Sequence, residues 1–87
     1  MARVAIPLLL KDVTGGLRRA EVPGATVGEV IAELDRRHPG FKQRVCNGDR
    51  LSPIVAVTVD GQIARDGLAT AVRADSEVCF LPSFGGG

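Results

Sequence analysis

The sequence predicts an α+β domain in which one amphipathic helix lies on one face of a mixed sheet of four to five strands. Three observations carry that expectation. Thr26-Val27-Gly28-Glu29 is a capping box that opens an apolar stripe at helical spacing. Ile54-Val55-Ala56-Val57-Thr58-Val59 is a β-branched run closed by an Asp60-Gly61 turn signal. Strand-like segments also lie near both ends of the chain, so a sheet can form around them.

Residues 3 to 10 mix alternation with a continuous apolar run, as a partly buried first strand would. Thr14-Gly15-Gly16 signals a turn, and Leu17 to Val22 reads as a second strand, so the two form a hairpin that Pro23-Gly24 ends. In the helix, the Thr26 hydroxyl is placed to accept from the Glu29 N–H, and the Glu29 carboxylate to reach back to the Thr26 N–H. Val27, Val30, Ile31 and Leu34 then recur at i, i+3, i+4 and i+7, with Glu29, Glu33, Asp35 and Arg36 off that stripe. Pro39-Gly40 stops the helix.

Phe41 to Val45 reads as a short helical turn and Asn47-Gly48-Asp49 as loop. Ile54 to Val59 is the clearest strand, and Gln62 to Ala64 a short edge strand. Asp66 to Thr70 and Arg73 to Ser76 are turns. Glu77 to Leu81 is the last strand, with Val78 and Phe80 on one face and Cys79 and Leu81 on the other. Strand, strand, helix, strand, short strand, strand, with the first and last strands central, is the β-grasp arrangement. It defines one domain, residues 1–81, followed by a flexible tail, residues 82–87.

Composition removes several functions. Eleven basic and ten acidic side chains give a formal charge of +1 and are scattered along the chain, while the only aromatics are three Phe. The pairs Arg18-Arg19 and Arg36-Arg37 therefore read as solvated faces, and nucleic acid is not an expected partner. The early apolar stretch is broken by Pro7 and lacks a cleavage site, and no segment approaches the ~20 apolar residues a membrane span needs, so the expected location is the cytoplasm. Cys46 and Cys79 have no second pair, which leaves no zinc or iron–sulfur site within this chain. A disulfide between them stays open, with two reduced thiols the expectation. His38, the sole histidine, suits the C-terminal end of the helix, and nothing in the sequence places it beside either cysteine. No catalytic side chain and no metal ligand is assigned.

The chain ends Pro82-Ser83-Phe84-Gly85-Gly86-Gly87. Glycine adds no contact area and loses the most conformational freedom on ordering, so three in a row serve packing poorly. They serve a tail that must be thin, or they are a frayed end of the kind termini often have, and Pro82 favours the first. A side-chain-free peptide can thread a narrow cleft and offer one reactive group, the carboxylate of Gly87. Six extended residues reach about 20 Å at ~3.3 Å each. Pro82 fixes φ and is expected to end the strand ladder, sending the tail off in a set direction. Phe84 either grips a partner or folds back on its own domain, and the residues leave both readings open.

A β-grasp pattern whose last strand runs into Pro82, Ser83, Phe84, Gly85, Gly86 and Gly87 resembles the prokaryotic ubiquitin-like sulfur carriers, over nearly the whole chain. Ile6-Pro7, Thr14-Gly15-Gly16 and Gly67-Leu68-Ala69-Thr70-Ala71 look most like the branch that serves cysteine synthesis, and Gly85 stands where alanine or serine is common. The resemblance implies that an ATP-using, E1-like adenylating enzyme activates Gly87 and that sulfur transfer leaves a C-terminal thiocarboxylate. It implies no bound cofactor, ATP being consumed by the partner. Gly85, Gly86, Ser83 and Pro82 would thread into partners, with Phe84 and Leu81 as anchors. It also implies a sulfur-accepting synthase, pyridoxal-phosphate-dependent in the cysteine branch, and a metalloprotease that releases product. The chain itself would be a protein co-substrate and no enzyme. Two other readings stand beside this one: a covalent modifier joined to lysines, and a non-covalent β-grasp adaptor whose tail is irrelevant.

Overall fold

The computed structural model describes residues 1–83. Its strands are β1 (Ala2–Ala5), β2 (Arg19–Val22), β3 (Cys46–Asn47), β4 (Arg50–Leu51), β5 (Val55–Val59), β6 (Gln62–Ile63) and β7 (Glu77–Pro82). Its helices are α1 (Lys11–Thr14), α2 (Val27–Arg37) and α3 (Phe41–Val45), with 3-10 turns at Leu8–Leu10 and Gly67–Ala69. The main sheet has the order β2-β1-β7-β5-β6, with β1 and β7 parallel and the other neighbours antiparallel. This is the expected β-grasp, with β1 and β7 inside the sheet. β3 and β4 form a separate small hairpin around Gly48-Asp49, in the stretch the sequence assigned to loop.

Alternation and the helical stripe together build the core. Ala2 and Val4 of β1, Val55 and Val57 of β5, and Val78 and Phe80 of β7 face the same side as Val27, Val30, Ile31 and Leu34 of α2, and all are buried. Each valine, isoleucine, leucine or phenylalanine among them contributes about 1.5–3 kcal/mol on removal from water. Phe41 of α3 meets Phe80 edge to face, with ring centroids 5.5 Å apart and planes at 85°. That contact ties the short helix to the centre of the sheet.

The helix cap forms with one change. Thr26 Oγ1 accepts from the Glu29 N–H at 3.2 Å, but the Glu29 carboxylate reaches one residue further back, to the Ala25 N–H at 2.9 Å, rather than to Thr26. At the Asp60-Gly61 signal both residues take positive φ, 52° and 82°, in a two-residue loop that pairs Val59 with Gln62. That is the chirality a tight hairpin requires.

Several strand boundaries differ from expectation. The first strand ends at Ala5, not at residue 10: past Pro7 the chain turns, the Leu10 N–H donates to the Pro7 carbonyl at 3.0 Å, and Leu10 is buried while Leu8 and Leu9 stay exposed. β2 begins at Arg19 rather than Leu17, and β5 at Val55 rather than Ile54. The last difference is Pro82. It does not end the ladder: it pairs with Val55 inside β7, and the Ser83 N–H donates to the Ile54 carbonyl at 2.9 Å. The N–H that proline lacks would point toward β1, whose pairing has already stopped at Ala5↔Cys79, so nothing is lost there.

Candidate functional site

The site begins where β7 leaves the sheet. β7 sits between β1 and β5, but its two neighbours do not run equally far. β1 accompanies it through Cys79, whereas β5 follows it to Pro82. The last residues therefore exit with one flank covered and one open. Because β1 and β7 are parallel, the Leu8–Leu10 turn after β1 lies at this same end of the sheet.

Alternation decides which β7 side chains point outward. Val78 and Phe80 go to the core, as the sequence indicated, and Cys79 and Leu81 go to the face without a helix, where Cys79 is half-buried and Leu81 is 46% exposed. The register then assembles an apolar surface around them. Ala5, Cys79, Thr58 and Ile63 form a row across four strands, and Ala56 lies opposite Leu81. Ile63 is 71% exposed, Ile54 beside Ser83 is 57% exposed, and Leu8 is 64% exposed. Exposed large apolar side chains of this kind are candidates for a contact surface. The other half of the same face is charged: Arg3, Arg19, Glu21 and Glu77 line a groove of about 540 Å³ that reaches Cys79.

Of the anchors and tail residues expected from sequence, Leu81 and Pro82 are exposed at the exit and Ser83 is half-buried there. Phe84, Gly85, Gly86 and Gly87 lie outside the described residues. Sequence reasoning missed Ala5, Leu8, Ile54, Ala56, Thr58, Cys79 and Ile63. The signal available for Ala56, Thr58 and Cys79 was the outward half of β5 and of the later part of β7, which carries small or apolar residues where a solvated face would carry charge.

The rest of the chain supplies no catalytic constellation among the described residues. Cys46 and Cys79 are free thiols. Burial pushes the Cys46 thiol up, which suppresses the thiolate a nucleophile needs. His38 caps the end of α2, where its backbone N–H donates to the Leu34 carbonyl at 2.7 Å. No group of three or more His, Cys, Asp or Glu is arranged to hold a metal ion among the described residues, and no helix there is long and apolar enough to cross a membrane.

The far end of β7 is built differently. Asp60 Oδ1 accepts from the Glu77 N–H at 2.9 Å, and its Oδ2 accepts from the hydroxyl of Ser76 at 2.9 Å. The Arg73 N–H donates to the same Ser76 oxygen. The Glu77 N–H first, and then the Ser76 hydroxyl, hold the Asp60 carboxyl below the usual carboxylate range.

A five-stranded mixed sheet of this order with one main helix on a single face defines a ubiquitin-like, β-grasp protein. The chain belongs to the ThiS family, whose model matches residues 9–87. It is 33% identical over 89 residues to the sulfur carrier protein CysO of Mycobacterium tuberculosis, covering 97% of this chain and 96% of that one. In structure it is similar to CysO of Amycolatopsis orientalis, seen in a complex with BexX (TM-score 0.92, 34% identity, all of both chains). It is also similar to SAMP1 of Haloferax volcanii (TM-score 0.74, 31% identity, 99% of this chain and 98% of that one). The curated relatives are sulfur carriers, which are small protein substrates rather than enzymes.

Proposed function

We propose that this chain carries sulfur on the carboxyl group of Gly87. The observation that supports this best is a family match running to Gly87, on a body whose terminal strand leaves the sheet through an exposed apolar collar. A carboxylate resists nucleophilic attack, because attack must add negative charge to an anion. An E1-like enzyme overcomes this with ATP: a carboxylate oxygen attacks the α-phosphorus, pyrophosphate leaves, and an acyl-adenylate forms. Hydrosulfide then attacks the carbonyl carbon, AMP leaves, and the thiocarboxylate remains. ATP is the partner's substrate and the carrier binds no cofactor of its own.

The body's contribution is recognition. Leu81, Ile54, Leu8 and Ile63 present apolar area that a partner can desolvate, with Phe84 adding to it from the tail. Gly85 and Gly86 allow the chain through a cleft that a β-carbon would obstruct. The acceptor is a synthase that takes sulfur into a biosynthetic product, as cysteine synthesis requires in the branch this sequence resembles.

The test is the intact mass after incubation with ATP, a cognate adenylating enzyme and sulfide. Replacement of one carboxyl oxygen by sulfur is expected, and an unchanged mass with an enzyme active on another carrier refutes the reading. Gly86→Leu should melt as the wild type does and yet fail to be adenylated. A second reading, attachment to lysines of other proteins, is favoured by the likeness to SAMP1, a small archaeal modifier protein. Gly-Gly remnants on lysines of digested host proteins, lost when Gly87 is deleted, would establish it.

A further inference from the structure

The register of the first hairpin leaves one backbone edge of the sheet facing outward. The Ile6 N–H donates to the Arg18 carbonyl at 2.8 Å, and Val4↔Ala20 and Ala2↔Val22 continue that phase. The N–H and C=O groups of Arg19 and Glu21 therefore point away from β1, along the free edge of β2. Among the described residues, one of these four groups has a partner: Arg37 Nη1 donates to the Glu21 carbonyl at 3.0 Å.

We propose that the outer edge of β2 is a strand-addition site for a second copy of this chain, held closed by Arg37. The occupant follows from the sequence of the edge itself. Arg19-Ala20-Glu21 is complementary to itself when paired antiparallel about Ala20. Arg19 then lies opposite the partner's Glu21, and Glu21 opposite the partner's Arg19, with all four backbone groups on each edge joined in two hydrogen-bonded pairs. Opposite charges placed directly across a strand pair favour it, and one patch meeting its own copy is the isologous form of a twofold dimer. Two five-stranded sheets would join into one.

Arg37 prevents this. Its guanidinium occupies the Glu21 carbonyl, and by symmetry the same bond is blocked on the second copy, so two of the four ladder bonds are unavailable. The arginine is held in place from its own helix: its Nε donates to Glu33 Oε2 at 2.9 Å, and Arg36 binds the same carboxylate. Between them the two arginines hold the Glu33 carboxyl down at about 2, so the clamp stays charged at neutral pH. Unguarded edges invite pairing of this kind, and a side chain laid over the edge is one way of refusing it.

The experiment is sedimentation velocity over a concentration series for wild type, Arg37→Ala, Arg36→Ala and the double variant Arg37→Ala/Glu21→Pro. Arg36→Ala loses the same unit of charge without uncovering the edge. Proline at 21 removes an N–H that faces the edge and leaves the β1 ladder intact. The expected result is a monomeric wild type and Arg36→Ala, a self-association constant for Arg37→Ala raised about tenfold or more, and a return to monomer in the double variant. The proposal is overturned if Arg37→Ala stays monomeric, if Arg36→Ala associates equally, or if Glu21→Pro fails to reverse the effect. Should Arg37→Ala lose its far-UV signature, Arg37→Gln, whose side chain is shorter and uncharged, takes its place. The outcome is independent of whether Gly87 accepts sulfur.

Discussion

The two ends of β7 are held in opposite ways. At its start, Asp60, Ser76 and Arg73 fix the backbone of Glu77 through a polar network around a buried hydroxyl, Ser76 being 1% exposed. At its finish, Leu81 and Pro82 stand among exposed apolar side chains, and the strand is secured by a bond from the Ser83 N–H to Ile54. A satisfied polar network admits one geometry, whereas bare apolar surface accepts whatever shape desolvates it. The strand is thus locked at the pole away from the tail and left available at the pole that leads to it.

Removing what both ends share should have the largest effect. Phe80→Ala empties the middle of β7 beneath Phe41 and should cost about 3–5 kcal/mol in urea unfolding. A cost below about 1 kcal/mol would show that the ends hold the strand without its centre. Next is the locked end. Ser76→Ala leaves Asp60 and the Arg73 N–H without their buried partner and should cost about 1–2 kcal/mol, while sulfur loading of the folded fraction proceeds at the wild-type rate. The reverse pattern is expected at the open end. Leu81→Asp should leave stability within about 0.5 kcal/mol of wild type and lower kcat/KM for adenylation about tenfold or more. If Leu81→Asp unfolds the domain or Ser76→Ala blocks loading, the division between the two ends fails.

The smallest effect concerns acid. Asp60 is held below its ordinary value by the Glu77 N–H and the Ser76 hydroxyl, Asp12 by Arg44, and Glu33 is brought to about 2 by Arg36 and Arg37. A carboxyl whose folded pKa lies below its unfolded one stabilises the fold fully above the unfolded value, and that contribution disappears as pH falls through the folded value. Thermal stability should therefore stay flat down to about pH 5 and decline between roughly pH 4 and 2. Asp60→Asn should flatten part of that decline, because its amide does not titrate. An unchanged slope would mean that the locked end owes nothing to charge.

Much of this architecture was legible in the residues. The stripe Val27, Val30, Ile31 and Leu34 could bury itself only against a sheet, and the Asp60-Gly61 pair could only turn a hairpin tightly. Leu8-Leu9-Leu10 was not legible, because three consecutive leucines satisfy a buried strand and a turn equally well. What decides is which of them the tertiary fold covers, and it covers Leu10 alone. Pro82 misled for a related reason: proline breaks a ladder only where its missing N–H was needed, and the premature end of β1 removed that need. Leu81 was identifiable as outward-facing from alternation. Its neighbours Ala56, Thr58 and Ile63 were not, since adjacency across strands is a matter of register, and register appears only once the strands have been paired.

The parallel course of β1 and β7 carries a practical consequence for anyone labelling this molecule. Ala2 lies at one pole of the sheet and Ser83 at the other, about 20 Å away along the strands. A fluorophore or affinity handle fused ahead of Ala2 would stand clear of any enzyme that engages the exit.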